Sequence, residues 1–390
     1  MQVRRISGQE HFEANLISAI AFHERIEDME KAREKALACK DEDWGAFSED
    51  GKLMARIINN HFISHFDGNL IKNGGIGAVS TLPEYRVSGA IRAIFQELLP
   101  QVYKDGEIIS TLYPFNHEFY GKVGYETISW QNDYEFEPEI LQKYRFDGDA
   151  ILWRSGDPVS EYTDLYNRFA SGYNLTVQRT DESMLKSHIE GDCYKDRKFC
   201  YLLKKDGKAV AYLIFQDIKE DPQAILSVQD LAWEGREGFL AIFGFLARFS
   251  ADYGKIRIFM PSNIDLISLI RSKKLYNMKK TGCMAYMARV INVQKLLSYM
   301  YKPDDAPFVI KVTDEIIPEN DHAFKVAGES VEITDEQPDL CVSVRALAQL
   351  AIGSVSLSEA MYREDVSIHG NEDVLKRIFV RKPLLIEEHF

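Results

Sequence analysis

The turn PEYRVSGAIRAIF, residues 83–95, contains the first residues that point to chemistry. Arg86 and Gly89 lie three residues apart and directly precede an amphipathic, helix-like pattern. At the start of a helix the backbone N–H groups have no partners within the helix and lie at the positive end of its dipole. Gly89 lets an anion approach the backbone, and Arg86 adds a charged donor. The pattern predicts a phosphate-binding turn, with an ordinary helix start as the alternative.

A second motif, FYGKVGYE at residues 119–126, follows later in the chain and contains two tyrosines. A phenol has an ordinary pKa near ~10, closer to the ~8.5 of a thiol than the pKa of a carboxylic acid is. A phenol is therefore suited to protonating a thiolate leaving group. From the residues alone, Tyr113, Tyr120 and Tyr125 are equal candidates, and a buried structural tyrosine is the alternative for each.

The elements that would position these motifs follow from the spacing of the apolar residues. A period of 3.6 residues indicates helices, alternation indicates strands, and Asp-Gly marks a hairpin turn. The patterns predict helices over 10–23, up to Lys40 and over 89–99, strands over 74–82 and 107–113, and a hairpin around Asp50-Gly51. The phosphate-type turn therefore joins a strand to a helix.

The same order of elements returns later, which predicts an internal duplication. KKDGKAVAYLIFQ repeats the first hairpin around Asp206-Gly207-Lys208, and SVQDLAWEGREGFLAIF resembles the strand–turn–helix segment. In this copy Arg236 and Gly238 are only two residues apart, and Glu234 and Glu237 flank the turn. A shortened, acidic loop is predicted to hold phosphate poorly.

The remainder of the chain, from about residue 289, predicts a small α+β unit. It contains the strand-like segment FVIKVTDEI, a turn at Asn320-Asp321, a helix over 344–351 and a last helix from Asp373. Alternating apolar residues predict a sheet face that these helices cover.

The loop and the tyrosine motif together resemble the GNAT family of acetyl-coenzyme A-dependent N-acetyltransferases. The family's pyrophosphate loop follows the pattern [QR]xxGx[GA], and this sequence reads RVSGAI from Arg86, with Ile91 in place of the last small residue. Residues 119–126 resemble the family's tyrosine segment before its last strand. Length, duplication and tail narrow the resemblance to the Eis-like (enhanced intracellular survival) branch.

The resemblance implies a fold class of α/β (α+β) with three domains. It predicts an active GNAT domain over 1–144, a degenerate GNAT-like domain over 145–288 that binds no coenzyme, and a sterol-carrier-like α+β domain over 289–390. Two features of the branch are absent, because a second loop arginine is replaced by Val87 and an acid before the last residue by His389. These departures predict a substrate preference different from that of aminoglycoside-acetylating members.

The resemblance also assigns roles to single residues. Acetyl-coenzyme A is the expected cosubstrate, Tyr120 the general acid and the C-terminal carboxylate of Phe390 the base. The predicted substrate-binding residues are Phe22, Glu24 and His389. The predicted coenzyme-binding residues are Val79, Ser80, Thr81, Arg86, Val87, Ser88, Gly89, Ala90, Ile91, Phe115 and Asn116. For Val79 and Thr81 the alternative is core packing, and for Glu24 it is a solvated helix end.

The tail LLIEEHF runs from apolar residues directly into the terminus, which predicts that it docks onto the protein. An α-carboxyl group has an ordinary pKa near ~3.5, so burial would have to raise it before the group could accept a proton from an amine. The alternatives are that the carboxylate of Phe390 only orients the ammonium and a water, or that this side chain anchors the last helix.

Composition limits the partners. The 390 residues carry a net charge of −13, which opposes nucleic-acid binding and favours cationic ligands. No stretch approaches the ~18 apolar residues of a membrane span, so no membrane partner is expected. The five cysteines include no CxxC pair, which predicts neither a disulfide framework nor a metal site and fits a cytoplasmic location. Because Eis-like proteins form hexamers, the resemblance implies a homo-oligomer.

The leading interpretation is an N-acetyltransferase that acts on primary amines of cationic small molecules, similar to aminoglycosides or polyamines. A second interpretation has protein N-termini or lysines as acceptors. A third is a carrier of apolar ligands built on the C-terminal domain, with a vestigial transferase. Retention of RVSG and FYGKVGY in the first half argues against the third interpretation.

Overall fold

The structure is a computed structural model that describes residues 1–38, 42–128, 130–220, 223–284, 286–303 and 306–388. The predicted site residues His389 and Phe390 lie outside the described residues. The chain divides into two compact units. The first contains Met1–Ile128, Tyr286–Lys382 and Glu388, and the second contains Ser129–Ala285 and Pro383–Glu387.

Residues 1–128 fold in the order that the sequence predicts. The elements are β1 (Gln2–Arg5), α1 (Glu10–Phe22), α2 (Met29–Leu37), β2 (Glu42–Phe47), β3 (Leu53–Phe66), β4 (Asn69–Thr81), α3 (Ala90–Lys104), β5 (Ile109–Leu112), α4 (His117–Gly121) and β6 (Glu126–Thr127). The buried face of α3 follows the 3.6-residue period, with Ile91, Ile94, Phe95, Leu98 and Val102 in one core cluster with residues of the sheet.

Residues 130–284 repeat this order. The elements are β7 (Trp130–Phe136), β8 (Asp149–Leu152), α5 (Ser160–Ala170), α6 (Asp181–Ser183), β9 (Lys198–Lys205), β10 (Lys208–Glu220), β11 (Gln223–Trp233), α7 (Gly235–Leu246), β12 (Lys255–Met260), α8 (Leu266–Leu269) and β13 (Lys279–Met284). The predicted hairpin joins β9 to β10, and Asp206 and Gly207 have φ values of 49° and 78°. Two consecutive positive φ values favour Asp-Gly, because few other pairs adopt them without strain.

The rest of the chain forms a third sheet with helices, as predicted. Its elements are β14 (Met287–Val290), α9 (Val293–Tyr299), β15 (Phe308–Thr313), β16 (Ala323–Ala327), β17 (Ser330–Ile333), β18 (Leu340–Ser343), α10 (Val344–Ile352), α11 (Leu357–Ala360), β19 (Val366–Ile368) and α12 (Glu372–Ile378). The third sheet has the order β17-β16-β15-β18-β19. We call residues 293–382 the C-terminal part. Its helix α10 begins at a Ser343 cap and ends at Gly353, which has φ 85°.

The two larger sheets have the same topology and exchange one strand. Their orders are β1-β2-β3-β4-β5-β14-β6 and β8-β9-β10-β11-β12-β7-β13, so the duplication extends to the whole sheet. β7 follows the first copy in sequence but pairs in the second sheet, and β14 follows the second copy but pairs in the first. The domain limits at 144 and 288 stay a prediction. They did not anticipate that β7 and β14 each pair in the sheet of the other copy.

Candidate active site

The candidate site begins where two neighbouring strands of the first sheet separate. The parallel pairing of β4 with β5 ends at Ile76 and Leu112. On its other side β4 stays paired with β3 up to Thr81, with an irregularity at Ala78, whose φ is 49°. An extra residue of this kind bends a strand and increases its twist. Over residues 77–81, therefore, β4 leaves a gap on the side of β5.

Of the three predicted coenzyme residues on β4, the strand geometry turns the backbone groups of Val79 and Thr81 towards this gap. Leu82 donates its N–H to Met54 on β3, so Ser80 also directs its backbone towards β3. Because the direction alternates along a strand, the backbone groups of Val79 and Thr81 point to the other side. The side chain of Ser80 is buried, and its hydroxyl oxygen lies 3.3 Å from the hydroxyl oxygen of Ser18 on α1.

The loop after β4 is an open turn at the start of α3. Arg86 and Ser88 are exposed, and Val87 is fully exposed at φ 67°. A β-branched residue rarely adopts a positive φ, and such strain is found mostly at functional sites. Gly89 caps α3 at φ 83°, and a Cβ built on it meets no atom within 4 Å. Successive N–H groups in such a turn form a concave surface that fits a phosphate.

The tyrosine motif places one ring deep in the first core. Tyr120 is on α4 and is 2% exposed, and its ring contacts those of Phe95, Phe115 and Phe119 at centroid distances of 6.2, 5.3 and 5.2 Å. Burial raises the pKa of Tyr120 above its ordinary value, so the phenol keeps its proton.

The three tyrosines that the sequence left equivalent differ in the structure. Tyr125 is fully buried, and its hydroxyl lies 2.7 Å from that of Ser110. Tyr113 is 57% exposed and packs edge-on against Tyr286. Of the three, Tyr120 is the one on α4, with a buried ring packed among Phe95, Phe115 and Phe119.

Family models match the two ends of the chain. Residues 2–128 match the acetyltransferase (GNAT) domain, and residues 293–385 match the sterol carrier protein domain. No curated protein sequence matches the chain significantly.

Solved structures share the fold of the whole chain. A protein from Enterococcus faecalis V583, described as a probable N-acyltransferase, has a TM-score of 0.87 at 21% identity, with 100% of this chain and 99% of that chain covered. A GCN5-related N-acetyltransferase from Anabaena variabilis has a TM-score of 0.86 at 19% identity, with both chains fully covered. Eis1 from Mycobacterium abscessus has a TM-score of 0.83 at 19% identity, also over both full chains. The predicted Eis-like fold, with tandem GNAT sheets and a sterol-carrier-like third part, is confirmed.

The remaining predicted residues of the first domain lie after β5 and at the end of α1. Phe115 is exposed, whereas the side-chain oxygen of Asn116 caps α4 by accepting the N–H of Phe119 at 2.9 Å. Phe22 and Glu24 are exposed at the end of α1, one turn beyond Ser18. The contact of Ser18 with Ser80 therefore brings this end of α1 beside the last residues of β4.

The tail approaches the same region up to its last described residue. The hydroxyl of Tyr286 donates to the carbonyl oxygen of Glu388 at 3.0 Å. The ring of Tyr286 packs on Tyr113, which directly follows β5, at 5.6 Å between centroids. Glu388 thus lies near the strand end where the gap begins.

The sequence predicted a loop shortened by one residue in the second copy, whereas in the structure Glu234 alone separates β11 from α7. Gly238 lies inside α7, and a Cβ built on it would overlap the carbonyl oxygen of Val210 on β10. The backbone N–H of Glu234, which precedes α7, donates to the same oxygen at 2.9 Å. Helix and strand are therefore in direct contact where the GNAT domain has an open turn.

Sequence reasoning missed a polar cluster at the opposite end of β5. Glu107 is 2% exposed, and its Oε1 accepts from Asn59 Nδ2 at 2.9 Å and lies 2.8 Å from His61 Nδ1. His61 Nε2 lies 2.6 Å from Glu42 Oε2. A Cβ on Gly74 would overlap Glu107 Oε2, so this acid requires the glycine. Burial raises the pKa of Glu107 to about 7. The cluster lines a cavity of about 530 Å³.

The described residues contain neither a cluster that could hold a metal ion nor a helix that could span a membrane. Over the ranges that the structure describes, no group of three or more His, Cys, Asp or Glu side chains has the arrangement of a metal site. Within the same ranges, no helix combines the length and hydropathy that crossing a bilayer requires.

Proposed function

We propose that the chain is an acetyl-coenzyme A-dependent N-acetyltransferase that acylates primary amines of cationic small molecules. The observation that carries the proposal is the open turn at Gly89 directly after the gap between β4 and β5. A phosphate can approach the backbone there, and an extended chain can pair with the backbone of Val79 and Thr81.

The coenzyme would be held by the residues around this gap. The N–H groups of residues 87–91 would donate to the pyrophosphate, and Arg86 would add a charged contact. When bound, acetyl-coenzyme A supplies a thioester whose carbonyl carbon an amine attacks. Release of the thiolate then needs a proton donor nearby.

Tyr120 is the proposed donor. Its buried phenol keeps its proton over the whole pH range in which amines react, because burial raises its pKa. α4 presents it after the end of β5, the strand beside the gap. A general acid of this kind contributes about 10²–10⁴ to the rate.

The acceptor would be a cation held by an acid and an aromatic wall. Glu24 and Phe22 are exposed side by side at the end of α1, next to the last residues of β4. The net charge of −13 attracts polyamines and aminoglycosides and disfavours anionic amines. Assembly into a homo-oligomer and a cytoplasmic location stay predictions.

The C-terminal carboxylate of Phe390 is the proposed base, with His389 beside the acceptor. In support, the carbonyl oxygen of Glu388 accepts a hydrogen bond from the hydroxyl of Tyr286, whose ring packs on Tyr113 after β5. Adding several residues after Phe390 moves the carboxylate away without changing the coenzyme site. We expect acetyl transfer to fall at least ~100-fold while the affinity for acetyl-coenzyme A is retained. An extended chain that acetylates amines at the native rate would rule out this role.

The test of the function is release of free thiol from acetyl-coenzyme A with a panel of polyamines, aminoglycosides and peptides. We expect turnover with the first two classes. Turnover confined to peptides would favour protein amines as the acceptors, and no turnover with any class would refute the proposal.

A carrier of apolar ligands is the second candidate, because residues 293–385 match the sterol carrier protein domain. Native mass spectrometry of the purified chain separates the two. Bound coenzyme supports the transferase, and bound lipid without coenzyme supports the carrier.

A further inference from the structure

The helix that presents Tyr120 is too short to hold itself in place. α4 has five residues, and a helix of this length is unstable without packing. Much of the support for α4 and the segment after it comes from arginines and a glutamine that follow the second copy in sequence.

Each glycine of the motif FYGKVGYE contacts an arginine. The guanidinium carbon of Arg345 on α10 lies 3.5 Å from the position that a Cβ on Gly121 would take. Arg289 on β14 lies 2.9 Å from the corresponding position on Gly124, whose φ is 85°. Gly124 is therefore required both by its backbone conformation and by the space that Arg289 occupies.

Both arginines are held by acids. Arg289 is buried and bonds Asp314 through two nitrogens at 3.0 and 2.7 Å. Arg345 Nη2 donates to Glu126 Oε2 at 2.9 Å, and Arg363 Nη2 donates to the same oxygen at 3.0 Å. Charge-assisted bonds of this kind fix the direction of a side chain as well as adding energy.

The C-terminal part also holds the strand after the motif. Gln349 on α10 donates to the backbone oxygen of Thr127 at 2.7 Å. The hydroxyl of Thr127 lies 2.7 Å from Nδ1 of His117, the first residue of α4. Contacts from the C-terminal part thus reach α4 at its start through Thr127 and at its end through Gly121.

We infer that Arg345 is a positioning residue for Tyr120, so that the sterol-carrier-like part is a structural component of the acetyl-transfer site. The inference rests on the proposed function, because it concerns the proton donor of that reaction. Arg345 acts through α4 and touches neither the coenzyme turn nor the gap beside β4. A displacement of Tyr120 by about 1 Å is enough to lower the rate ~100-fold.

The test uses Arg345→Met, which removes the donors and keeps the aliphatic stem. The side chain is 42% exposed, so its loss is compatible with folding. We expect kcat to fall about 10-fold, with KM for acetyl-coenzyme A unchanged within ~2-fold. The matched control is Arg381→Met, which breaks an ion pair of 2.6 Å with Glu359 in the same part of the chain and leaves α4 intact.

The decisive measurement repeats Arg345→Met in a Tyr120→Phe chain. If Arg345 acts through Tyr120, the second change lowers kcat no further. An equal fall in both backgrounds, or no fall in either, would overturn the inference. A wild-type chain without any acetyl transfer would refute the proposed function instead, so the two failures are distinguishable. Arg345→Lys, which keeps the charge, is expected to restore part of kcat.

Discussion

The helix starts of α3 and α7 follow matching strands in two sheets of identical topology, yet only α3 is preceded by a loop. Before α3 the chain makes the loop of residues 82–89 through Arg86 and Gly89, and the space above Gly89 is empty. Before α7 only Glu234 follows β11, and Gly238 inside the helix lies against the carbonyl oxygen of Val210. A glycine that permits access and a glycine that permits close packing thus look alike in sequence.

The helices after the next strand also differ. The fourth residue of α4 is the buried Tyr120, whereas the fourth residue of α8 is the exposed Leu269. The second copy keeps the sheet but not the loop of residues 82–89, in whose place it has only Glu234.

The largest effect is expected at the proton donor. Tyr120→Phe removes the proposed proton donor and should lower kcat about 100-fold or more, with coenzyme affinity unchanged. Steady-state kinetics and calorimetry measure the two quantities. Leu269→Phe, which adds a ring on α8 of the second copy, is the control and should leave both unchanged. Native turnover by the Tyr120→Phe chain would contradict the assignment.

The open turn is tested by adding a methyl group. Gly89→Ala places a Cβ where the pyrophosphate is expected, and we predict a loss of acetyl-coenzyme A affinity of about 10-fold or more, measured by calorimetry. Gly207→Ala is a matched control, because Gly207 has a φ of 78° and the same free space around its Cβ. Similar losses of thermal stability are expected in both variants. Equal affinity in both variants would mean that the turn only starts a helix.

A smaller effect is expected from the two loop arginines. Arg86→Ala removes one charged contact to phosphate and should weaken coenzyme binding about 5-fold to 10-fold, whereas Arg236→Ala should have no effect. The difference should shrink at high salt, since exposed charges are screened. An equal loss of coenzyme affinity in the two variants would show that Arg86 has no special role in binding the coenzyme.

The smallest effect concerns stability at the other end of β5. Burial raises the pKa of Glu107 to about 7 from an ordinary 4.5, so the folded protein keeps a proton that the unfolded chain releases. Its contribution to stability is full below the unfolded pKa and is lost as pH rises through about 7, by an amount on the order of 2 kcal/mol. Glu107→Gln cannot ionise and should lose less stability between pH 5 and pH 8.

Thermal melts of both chains at several pH values check this prediction. The groups that face Glu107 are Asn59 and His61 on β3, with Glu42 and Arg5 beyond them. At the position matching Glu107 the second sheet has Tyr253, so the pH dependence is expected from the first unit alone. Identical melting curves for the two chains would show that Glu107 is ionised throughout.

Local patterns were enough to predict the order of elements, the hairpins at Asp50-Gly51 and Asp206-Gly207, and the third sheet. These features depend on period and turn residues, which neighbours in sequence determine. Pairing of β7 and β14 across the duplication could not be predicted, because the local pattern of a short strand does not say which sheet it joins. The bulge at Ala78 depends on the register between β3 and β4, which a local pattern does not give either.

The site was predictable where a motif is local and unpredictable where contacts are distant. The turn from Arg86 to Gly89 was identified from its spacing, and Tyr120 was chosen by resemblance. The contact of Arg345 with Gly121 joins residues far apart in sequence, and the pKa of Glu107 depends on burial, so neither has a local signal. The predicted roles of the site residues stay predictions.

The stoichiometry of acetyl-coenzyme A binding tests the central comparison most directly. Calorimetric titration of the full chain should give one coenzyme per chain at saturation, because the loop of residues 82–89 precedes α3 and only Glu234 precedes α7. The Gly89→Ala chain, titrated in the same way, should bind that coenzyme about 10-fold or more weakly. Two coenzymes per chain, or one that persists undiminished in the Gly89→Ala chain, would contradict the account.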